Sequence, residues 1–356
     1  YWVTYQYSQE LQDKPIHTTT HAGQEFDLVI KGAMRIKVGE HEEVLREGDS
    51  IFYKSSTPHG MIAIDGRDCV FLSMIMASDT TDQPLYISQS RKGREEQPLL
   101  CNKFVQAMED ENGTFQGMVF SDEERYNFAF DTVDAIARRE PDKLAMVHVA
   151  NDMTERRFTF KDMKDASSQS ANYFKSLGIK RGDRVMLVLK RHYQFWFAML
   201  GLHKLGAIAI PATNQLMEHD FVYRFQAADV TAVLCTADGN TAEQIELAEK
   251  SANMHLTKVL VGGSRDGWHD YNEEYKLFSR RFERSEDAPC GSDPMLMLFT
   301  SGTTGYPKMA THSYKYALGH YVTAKYWHLC ERDGLHFTIS ETGWGKALWG
   351  KLYGQW

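Results

Sequence analysis

The first 77 residues alternate apolar and polar positions in short segments that are separated by glycine and aspartate turns. Short alternating segments with turn residues between them favour antiparallel strands arranged as a sandwich or barrel. The predicted strands are 26–30, 34–38, 43–45, 50–53, 60–64 and 69–76. This part of the chain is therefore expected to be a small antiparallel β domain.

A second pattern begins after a polar stretch that contains the charged run 91–96. From Phe128 onward, helical periodicity alternates with apolar β runs, which predicts βαβ units and a mostly parallel sheet covered on both faces. The predicted helices are 161–177, 193–205, 218–228, 240–252 and 271–282, and the predicted strands are 144–150, 157–160, 184–190, 207–211, 230–236, 257–261 and 294–299. The expected organisation is a β domain over 1–78, a linker over 79–119 and an α/β domain over 120–356.

Charge, hydropathy and cysteine content limit the classes of function that this chain can have. The chain carries 40 Lys and Arg against 48 Asp and Glu, a net charge of −8, so it offers no overall positive field to a nucleic-acid backbone. The apolar region 198–212 is interrupted by His203 and Lys204 and falls short of the ~20 apolar residues of a membrane span. Five separated cysteines without a C-x-x-C pair fit a reducing cytoplasm. We expect neither nucleic-acid binding nor membrane insertion by this stretch.

The ends of the sequence indicate a piece of a longer protein. It begins with Tyr1 rather than Met, and residues 352–356 are apolar and aromatic without a polar tail. Catalytic parts outside 1–356 are therefore expected.

A glycine- and hydroxyl-rich loop follows the last predicted strand, where residues 298–308 read Leu-Phe-Thr-Ser-Gly-Thr-Thr-Gly-Tyr-Pro-Lys. Glycines let the backbone approach an anion, the hydroxyls add donors, and the lysine adds a positive charge. The candidate phosphate-binding residues are Thr300, Ser301, Gly302, Thr303, Thr304, Gly305 and Lys308. Pro307 and Met309 around the lysine distinguish the loop from the Walker type. The alternative is a flexible surface turn.

The loop resembles the phosphate loop of the adenylate-forming superfamily, whose signature is Thr-Ser-Gly-Thr-Thr-Gly-x-Pro-Lys. Similarity to acyl-CoA synthetases, most of all the medium-chain and acetate types, continues through 183–189, 206–212 and 340–344 and covers about 120–356. The resemblance implies that a small or medium-chain carboxylic acid attacks ATP to give acyl-AMP, from which coenzyme A then displaces AMP. It further implies Mg²⁺, a place in fatty acid metabolism, and Lys308 as a catalytic residue that neutralises the leaving pyrophosphate.

The same resemblance suggests two residues of an acyl pocket. His312 stands where the family commonly has a histidine near the acyl group, and Trp344 stands in a region that runs along the pocket. A core or capping histidine and a core tryptophan are the alternatives. The family's ribose-binding aspartate, hinge and second catalytic lysine normally follow this region, so we expect residues 1–356 alone to be inactive.

Histidines mark the N-terminal domain. His17 and His21 share a face of an extended segment, Glu25 follows, and His59 lies further along the chain. The region 2–76 resembles a cupin, with His21, Glu25 and Gly32 in register with its first motif and His59 in its second. Thr19 replaces the first motif's leading histidine, and His17 is the substitute donor. A divalent-metal site, a metal-free pocket and a purely structural barrel remain open.

Three interpretations of the function follow. The main hypothesis is an acyl-CoA ligase whose cupin senses a small effector. The alternative is a ligand-sensing regulator whose synthetase region binds ATP or acyl-adenylate without turnover, and a third interpretation is a β-barrel metalloenzyme with an unrelated α/β partner. Residues 47–59 are similar to sensory cupins attached to helix-turn-helix regulators, which suggests a DNA-binding module before Tyr1.

Overall fold

A computed structural model describes residues 2–76, 98–301 and 305–356. The chain divides into two compact units, Tyr1–Gly93 and Arg94–Trp356, which we call the β unit and the α/β unit. No helix within the described ranges combines the length and the apolar character needed to cross a membrane.

The β unit consists of two antiparallel sheets. Its strands are β1 Trp2–Tyr5, β2 Gln24–Lys31, β3 Ala33–Val38, β4 His41–Arg46, β5 Ser50–Lys54, β6 His59–Ala63 and β7 Cys69–Met76. One sheet has the order β1-β7-β2-β5 and the other β4-β3-β6. This confirms the antiparallel β domain expected from the short alternating segments.

The inward face of the β unit is partly polar. Along β2, Glu25, Asp27 and Val29 are buried while the residues between them are half-exposed, as the period of two along a strand requires. Val29 packs with Met34 and Phe71 in an apolar cluster. The two carboxylates therefore share the interior face with the hydrophobic core.

The α/β unit is built on one large sheet. Its strands are β8 Val105–Glu109, β9 Phe115–Phe120, β10 Leu144–Val149, β11 Glu155–Thr159, β12 Arg184–Val188, β13 Ile208–Pro211, β14 Val230–Thr236, β15 Thr257–Val261, β16 His269–Asp270, β17 Pro294–Thr300 and β18 Lys308–Ser313. The large sheet has the order β16-β15-β14-β12-β13-β17-β18, and its pairs are parallel except β17 with β18. β8–β9 and β10–β11 form separate antiparallel pairs. The predicted mostly parallel α/β fold is confirmed.

Helices cover both faces of this sheet. They are α1 Asp134–Arg139, α2 Phe160–Ser176, α3 Gln194–Leu205, α4 Glu218–Ala228, α5 Thr241–Ser251, α6 Tyr271–Glu274, α7 Tyr316–Val322 and α8 Gly345–Lys351. Along β12, Val185 and Leu187 enter the core that contains α2 and α3, while Met186 and Val188 enter the core that contains α4 and α5. Alternate residues of a central strand therefore bury apolar surface on opposite sides.

Two regions differ from the sequence prediction. The helix predicted over 271–282 ends as α6 at Glu274 and continues only as a 3-10 turn, Tyr275–Leu277. The reason lies in α2, where Gln169 and Asn172 donate side-chain hydrogen bonds to backbone carbonyls between residues 276 and 281. Within the predicted linker, residues 98–119 contain a 3-10 turn and most of the β8–β9 hairpin, while 79–97 lie outside the described residues.

A buried ion pair joins α1 to α3. The Lys204 ammonium lies 2.8 Å from an Asp134 carboxylate oxygen and also donates to the Ser168 hydroxyl at 3.0 Å. Both charged side chains are buried. Burial raises the pKa of Asp134, which the neighbouring Lys204 opposes. Each charge is therefore tolerated in the core because the other is present.

Replacing Lys204 by alanine should destabilise the α/β unit by about 3–5 kcal/mol, because the Asp134 carboxyl stays buried without its partner. Urea-induced unfolding measures this change. The matched control is Lys276→Ala, which removes an exposed lysine paired with Glu273 only at 3.9 Å and should change stability by at most about 0.5 kcal/mol. Equal urea midpoints for the two variants would contradict the stabilising role of the Lys204–Asp134 ion pair.

Candidate functional site

The phosphate loop is closed by an antiparallel hairpin. β17 and β18 pair in a register that places Thr300 opposite Lys308 and Phe299 opposite Met309. The Thr300 hydroxyl donates to the Lys308 carbonyl oxygen at 3.3 Å. Gly302, Thr303 and Thr304 lie outside the described residues. This pairing therefore holds the two ends of the loop next to each other.

The described residues of the loop face solvent. Thr300, Ser301, Gly305 and Lys308 are all exposed, so their donors are accessible to a ligand. Gly305 has a φ of 93° with open space where a side chain would lie, a backbone conformation that L-residues rarely adopt. The loop therefore presents a positive charge and hydroxyls on a backbone that glycine makes possible.

Helix α4 supports the loop from the side, through a residue that the sequence pattern did not single out. The Tyr223 hydroxyl donates to the Pro307 carbonyl oxygen at 2.8 Å. Its ring stacks on Tyr306 with a centroid distance of 4.9 Å and an interplanar angle of 27°. Tyr306 occupies the variable position of the loop signature, so its aromatic character was the only sequence signal for this contact.

The segment 340–344 lies at the edge of the parallel sheet that also carries the glycine- and hydroxyl-rich loop. Gly343 packs so closely on the end of β13 that a Cβ there would lie 2.4 Å from the Thr213 nitrogen, which only glycine allows. The Thr342 hydroxyl donates to the Lys190 carbonyl oxygen beyond β12. The phosphate loop follows β17, which pairs in parallel with β13. The carboxyl ends of adjacent parallel strands, the usual ligand-binding edge of such sheets, therefore gather these segments.

The two predicted acyl-pocket residues have different environments. His312 is partly buried in β18 against Tyr316, with ring centroids 4.3 Å apart, and this burial lowers the pKa of its imidazole. Trp344 precedes α8 and is 62% exposed, so it is not a core residue. Neither a hydrogen bond nor a ring contact joins His312 to Trp344 within the described residues.

In the β unit, His21, Glu25 and His59 converge. The His21 Nε2 lies 3.0 Å and the His59 Nε2 3.4 Å from the same Glu25 oxygen, and the three donor atoms lie within 4.8 Å of one another. His17 is exposed and outside this group. Thr19 pairs with His59 through the backbone.

The hydrogen bonds of the two imidazoles fix the orientation of the rings. His21 Nδ1 lies 3.1 Å from the Ala22 carbonyl oxygen and His59 Nδ1 lies 2.8 Å from that of Thr57. A carbonyl accepts, so each Nδ1 carries a proton, and each Nε2 faces the Glu25 carboxylate. A proton on Nε2 or a metal ion bound by the rings and the carboxylate satisfies this arrangement. Backbone carbonyls that orient the rings in this way are typical of metal-binding histidines.

Further polar residues, which the sequence analysis missed, surround this group. Ser73 donates to Glu25 at 2.8 Å, and Tyr53 donates to Asp27 at 3.0 Å. Burial raises the pKa of Asp27 to about 6, and its other oxygen is buried without a hydrogen-bond partner among the described residues. The alternation along β2 was the available signal, because it places Asp27 on the same face as Glu25. Two imidazoles and a carboxylate suit a divalent transition metal.

A parallel sheet whose carboxyl edge carries a glycine- and hydroxyl-rich loop defines an α/β protein of the nucleotide-binding class. The family model described as AMP-binding enzyme matches residues 133–341, and that described as cupin domain matches residues 9–75. The chain belongs to the AMP-binding enzyme family and carries a cupin domain in its N-terminal part.

Individual relatives agree with this assignment. The human mitochondrial acyl-coenzyme A synthetase ACSM3 is 30% identical over 244 residues, which cover 65% of this chain and 40% of the relative. Human mitochondrial acyl-coenzyme A synthetase ACSM5 is 32% identical over 245 residues, with 65% and 41% covered. The chain thus spans about two fifths of the length of the curated relatives it matches.

Solved structures share the fold. An acyl-CoA synthetase from Brucella canis superimposes with a TM-score of 0.57 at 22% identity, covering 65% of this chain and 41% of that one. The anthranilate CoA ligase AuaEII, in complex with anthranoyl-AMP, gives a TM-score of 0.54 at 23% identity, with 65% and 43% covered.

Gly305→Ala should lower stability by about 1–2 kcal/mol, because the added Cβ makes a φ of 93° unfavourable. The matched control is Gly319→Ala in α7, where a Cβ meets nothing within 4 Å and φ is not positive; it should be neutral or stabilising by up to about 1 kcal/mol. Urea-induced unfolding of both variants checks the difference. Equal stability of the two variants would contradict the positive φ at Gly305.

Proposed function

We propose that the α/β unit binds the phosphates of ATP and that the full-length protein activates a small or medium-chain carboxylic acid to acyl-AMP and then to acyl-CoA. The observation that carries this proposal is the closed hairpin, which holds the exposed Lys308 opposite Thr300 at the carboxyl edge of the parallel sheet. Membership in the AMP-binding family and the similarity to acyl-coenzyme A synthetases support it.

In the first step, a carboxylate oxygen of the acid attacks the α-phosphorus of ATP. A new O–P bond forms, the bond between the α-phosphorus and the bridging oxygen breaks, and pyrophosphate leaves. Lys308 and the loop hydroxyls, including Thr300 and Ser301, neutralise the negative charge that develops on the leaving group. Mg²⁺ supplies further positive charge when bound, and hydroxyl oxygens such as that of Thr300 are hard donors that suit this ion.

In the second step, the sulfur of coenzyme A attacks the acyl carbon of acyl-AMP, and AMP leaves. We assign His312 and Trp344 to the pocket for the acyl group. The lowered pKa keeps the His312 imidazole neutral at neutral pH, and the exposed Trp344 ring offers an apolar surface. Aliphatic and aromatic acids are both candidates, since one structural neighbour is an anthranilate ligase.

For the β unit we propose a divalent metal ion held by His21, Glu25 and His59, with Asp27 nearby. The two Nε2 atoms that face Glu25, with each Nδ1 held by a backbone carbonyl, support this. The bound ion would in turn provide a site for a small anionic effector that biases the synthetase. A purely regulatory protein that binds ATP or acyl-adenylate without turnover is the competing function.

The Lys308→Ala variant of the full-length protein should lose ATP–pyrophosphate exchange by about 10²–10³-fold, because the leaving pyrophosphate loses a fixed positive charge. Exchange is measured with acetate, butyrate, hexanoate, octanoate and benzoate. Lys276→Ala, which removes an exposed lysine elsewhere, should keep wild-type exchange. Wild-type rates in Lys308→Ala would contradict the role of this lysine. A folded, ATP-binding wild type without exchange for any acid would favour the regulatory alternative.

His59→Gln should reduce the metal retained by the purified chain by one equivalent, because the group loses one of its two imidazole donors. Elemental analysis after loading with Mn²⁺, Fe²⁺ or Zn²⁺ measures the stoichiometry. His41→Gln, which changes an exposed histidine of β4, is the control and should retain the wild-type amount. Equal metal content in both variants would leave the group as a structural part of the barrel.

A further inference from the structure

A second group of metal-binding side chains lies in the α/β unit, outside the proposed ligase machinery. His328, Cys330 and His336 each offer one donor atom, and these atoms lie within 4.8 Å of one another. All three residues are partly buried. They occupy the segment between a π-helical turn, Thr323–Trp327, and α8. The pattern His-x-Cys followed by a histidine six residues later was not recognised as a motif.

The backbone is shaped to bring the first two of these residues together. Leu329, between them, has a φ of 50°, a left-handed conformation that is unfavourable for an L-residue. The flanking amides are anchored, since His328 N–H donates to the Thr323 carbonyl and Cys330 N–H to the Ala324 carbonyl, each at 2.9 Å. The imidazole and the thiol therefore leave a fixed turn rather than a free loop.

The imidazole rings are also oriented. His328 stacks on Trp349 with a centroid distance of 5.6 Å and an interplanar angle of 10°. His336 Nε2 lies 2.8 Å from the Thr338 hydroxyl. Imidazoles held in a fixed orientation are what a metal site requires.

Gln355 lies beside two of the three donor residues and sets the tautomer of His328. Its amide nitrogen lies 2.8 Å from His328 Nδ1, while its amide oxygen is buried without a hydrogen-bond partner among the described residues. The same side chain hydrogen-bonds to Cys330. A half-turn of the amide lets the oxygen accept a proton from Nδ1, which leaves His328 Nε2 free to coordinate. The orphaned oxygen then has a partner and the ligand has the tautomer it needs.

We propose that His328, Cys330 and His336 bind one Zn²⁺ ion, with the fourth coordination position taken by water. Two imidazoles and a thiolate are a donor set that zinc prefers. On binding, the Cys330 thiol releases its proton to solvent and its sulfur bonds to the metal. Bond lengths of about 2.0–2.3 Å require the donor atoms to approach by roughly 1 Å.

The surrounding segment explains why a metal would be useful there. Residues 329–344 form neither helix nor strand, and Leu329, Phe337 and Ile339 expose more than half of their surface. A segment with so little buried apolar surface gains order from a metal, because binding free energy adds to folding free energy. The metal would hold this segment in front of α8, which begins directly after Trp344.

Cobalt titration of the untagged chain, stripped of metal and kept reduced, tests the site. Cobalt bound by sulfur gives an intense near-ultraviolet charge-transfer band, which the cupin group of imidazoles and carboxylates does not produce. We expect this band to saturate at one equivalent in His59→Gln, which lacks a donor of the cupin group, and to disappear on addition of Zn²⁺. It should be absent from Cys330→Ser and retained in Cys290→Ser, which changes another partly buried cysteine of the same unit.

His59→Gln should keep the band, because it affects only the cupin group, and His336→Gln should weaken cobalt binding by at least tenfold. Circular dichroism without metal checks that each variant is folded. Zn²⁺ should also raise the unfolding temperature of His59→Gln but not that of the double variant with Cys330→Ser. A wild type without the charge-transfer band, or a band that persists in Cys330→Ser, would overturn the proposal.

Discussion

The pairing of Thr300 with Lys308 is the interaction on which the candidate ligase site depends. It places Thr300 and Lys308, the first and the last of the candidate phosphate-binding residues, opposite each other in one antiparallel ladder. Because β17 also pairs in parallel with β13, the lysine is tied to the same sheet whose carboxyl ends carry the other family segments. A side chain as long and flexible as lysine has a high conformational entropy, so its place at the site depends on this backbone pairing.

Both units bury charged side chains, and these buried charges are stabilised in different ways. In the α/β unit, Lys204 and Asp134 neutralise each other, which keeps a buried charge from weakening the core. In the β unit, burial raises the pKa of Asp27 to about 6, and the imidazoles of His21 and His59 face the Glu25 carboxylate. The first arrangement is complete within the protein. The second offers the donor set of a divalent metal ion, which is why we interpret it as a binding site.

Much of the architecture could be predicted because it depends on local pattern. The period of two predicted the strands of the β unit, and apolar β runs between helices predicted the parallel sheet. Where prediction failed, a distant part of the chain was responsible. The helix expected over 271–282 stops early because Gln169 and Asn172, about one hundred positions earlier, take its carbonyl groups. Tyr223 supports the loop from a separate helix, and no spacing in the sequence connects it with Pro307.

The sequence by itself determined the two domain types, the glycine- and hydroxyl-rich loop with Lys308, and the pairing of His21 and Glu25, since these depend on residues that are near one another along the chain. Only the tertiary structure decided that His59 joins this pair while His17 stays outside, and that His328, Cys330 and His336 meet. Strand pairing and a left-handed turn bring such residues within a few ångströms. The sequence shows which side chains can bind a ligand, but only the folded backbone determines which of them lie close together.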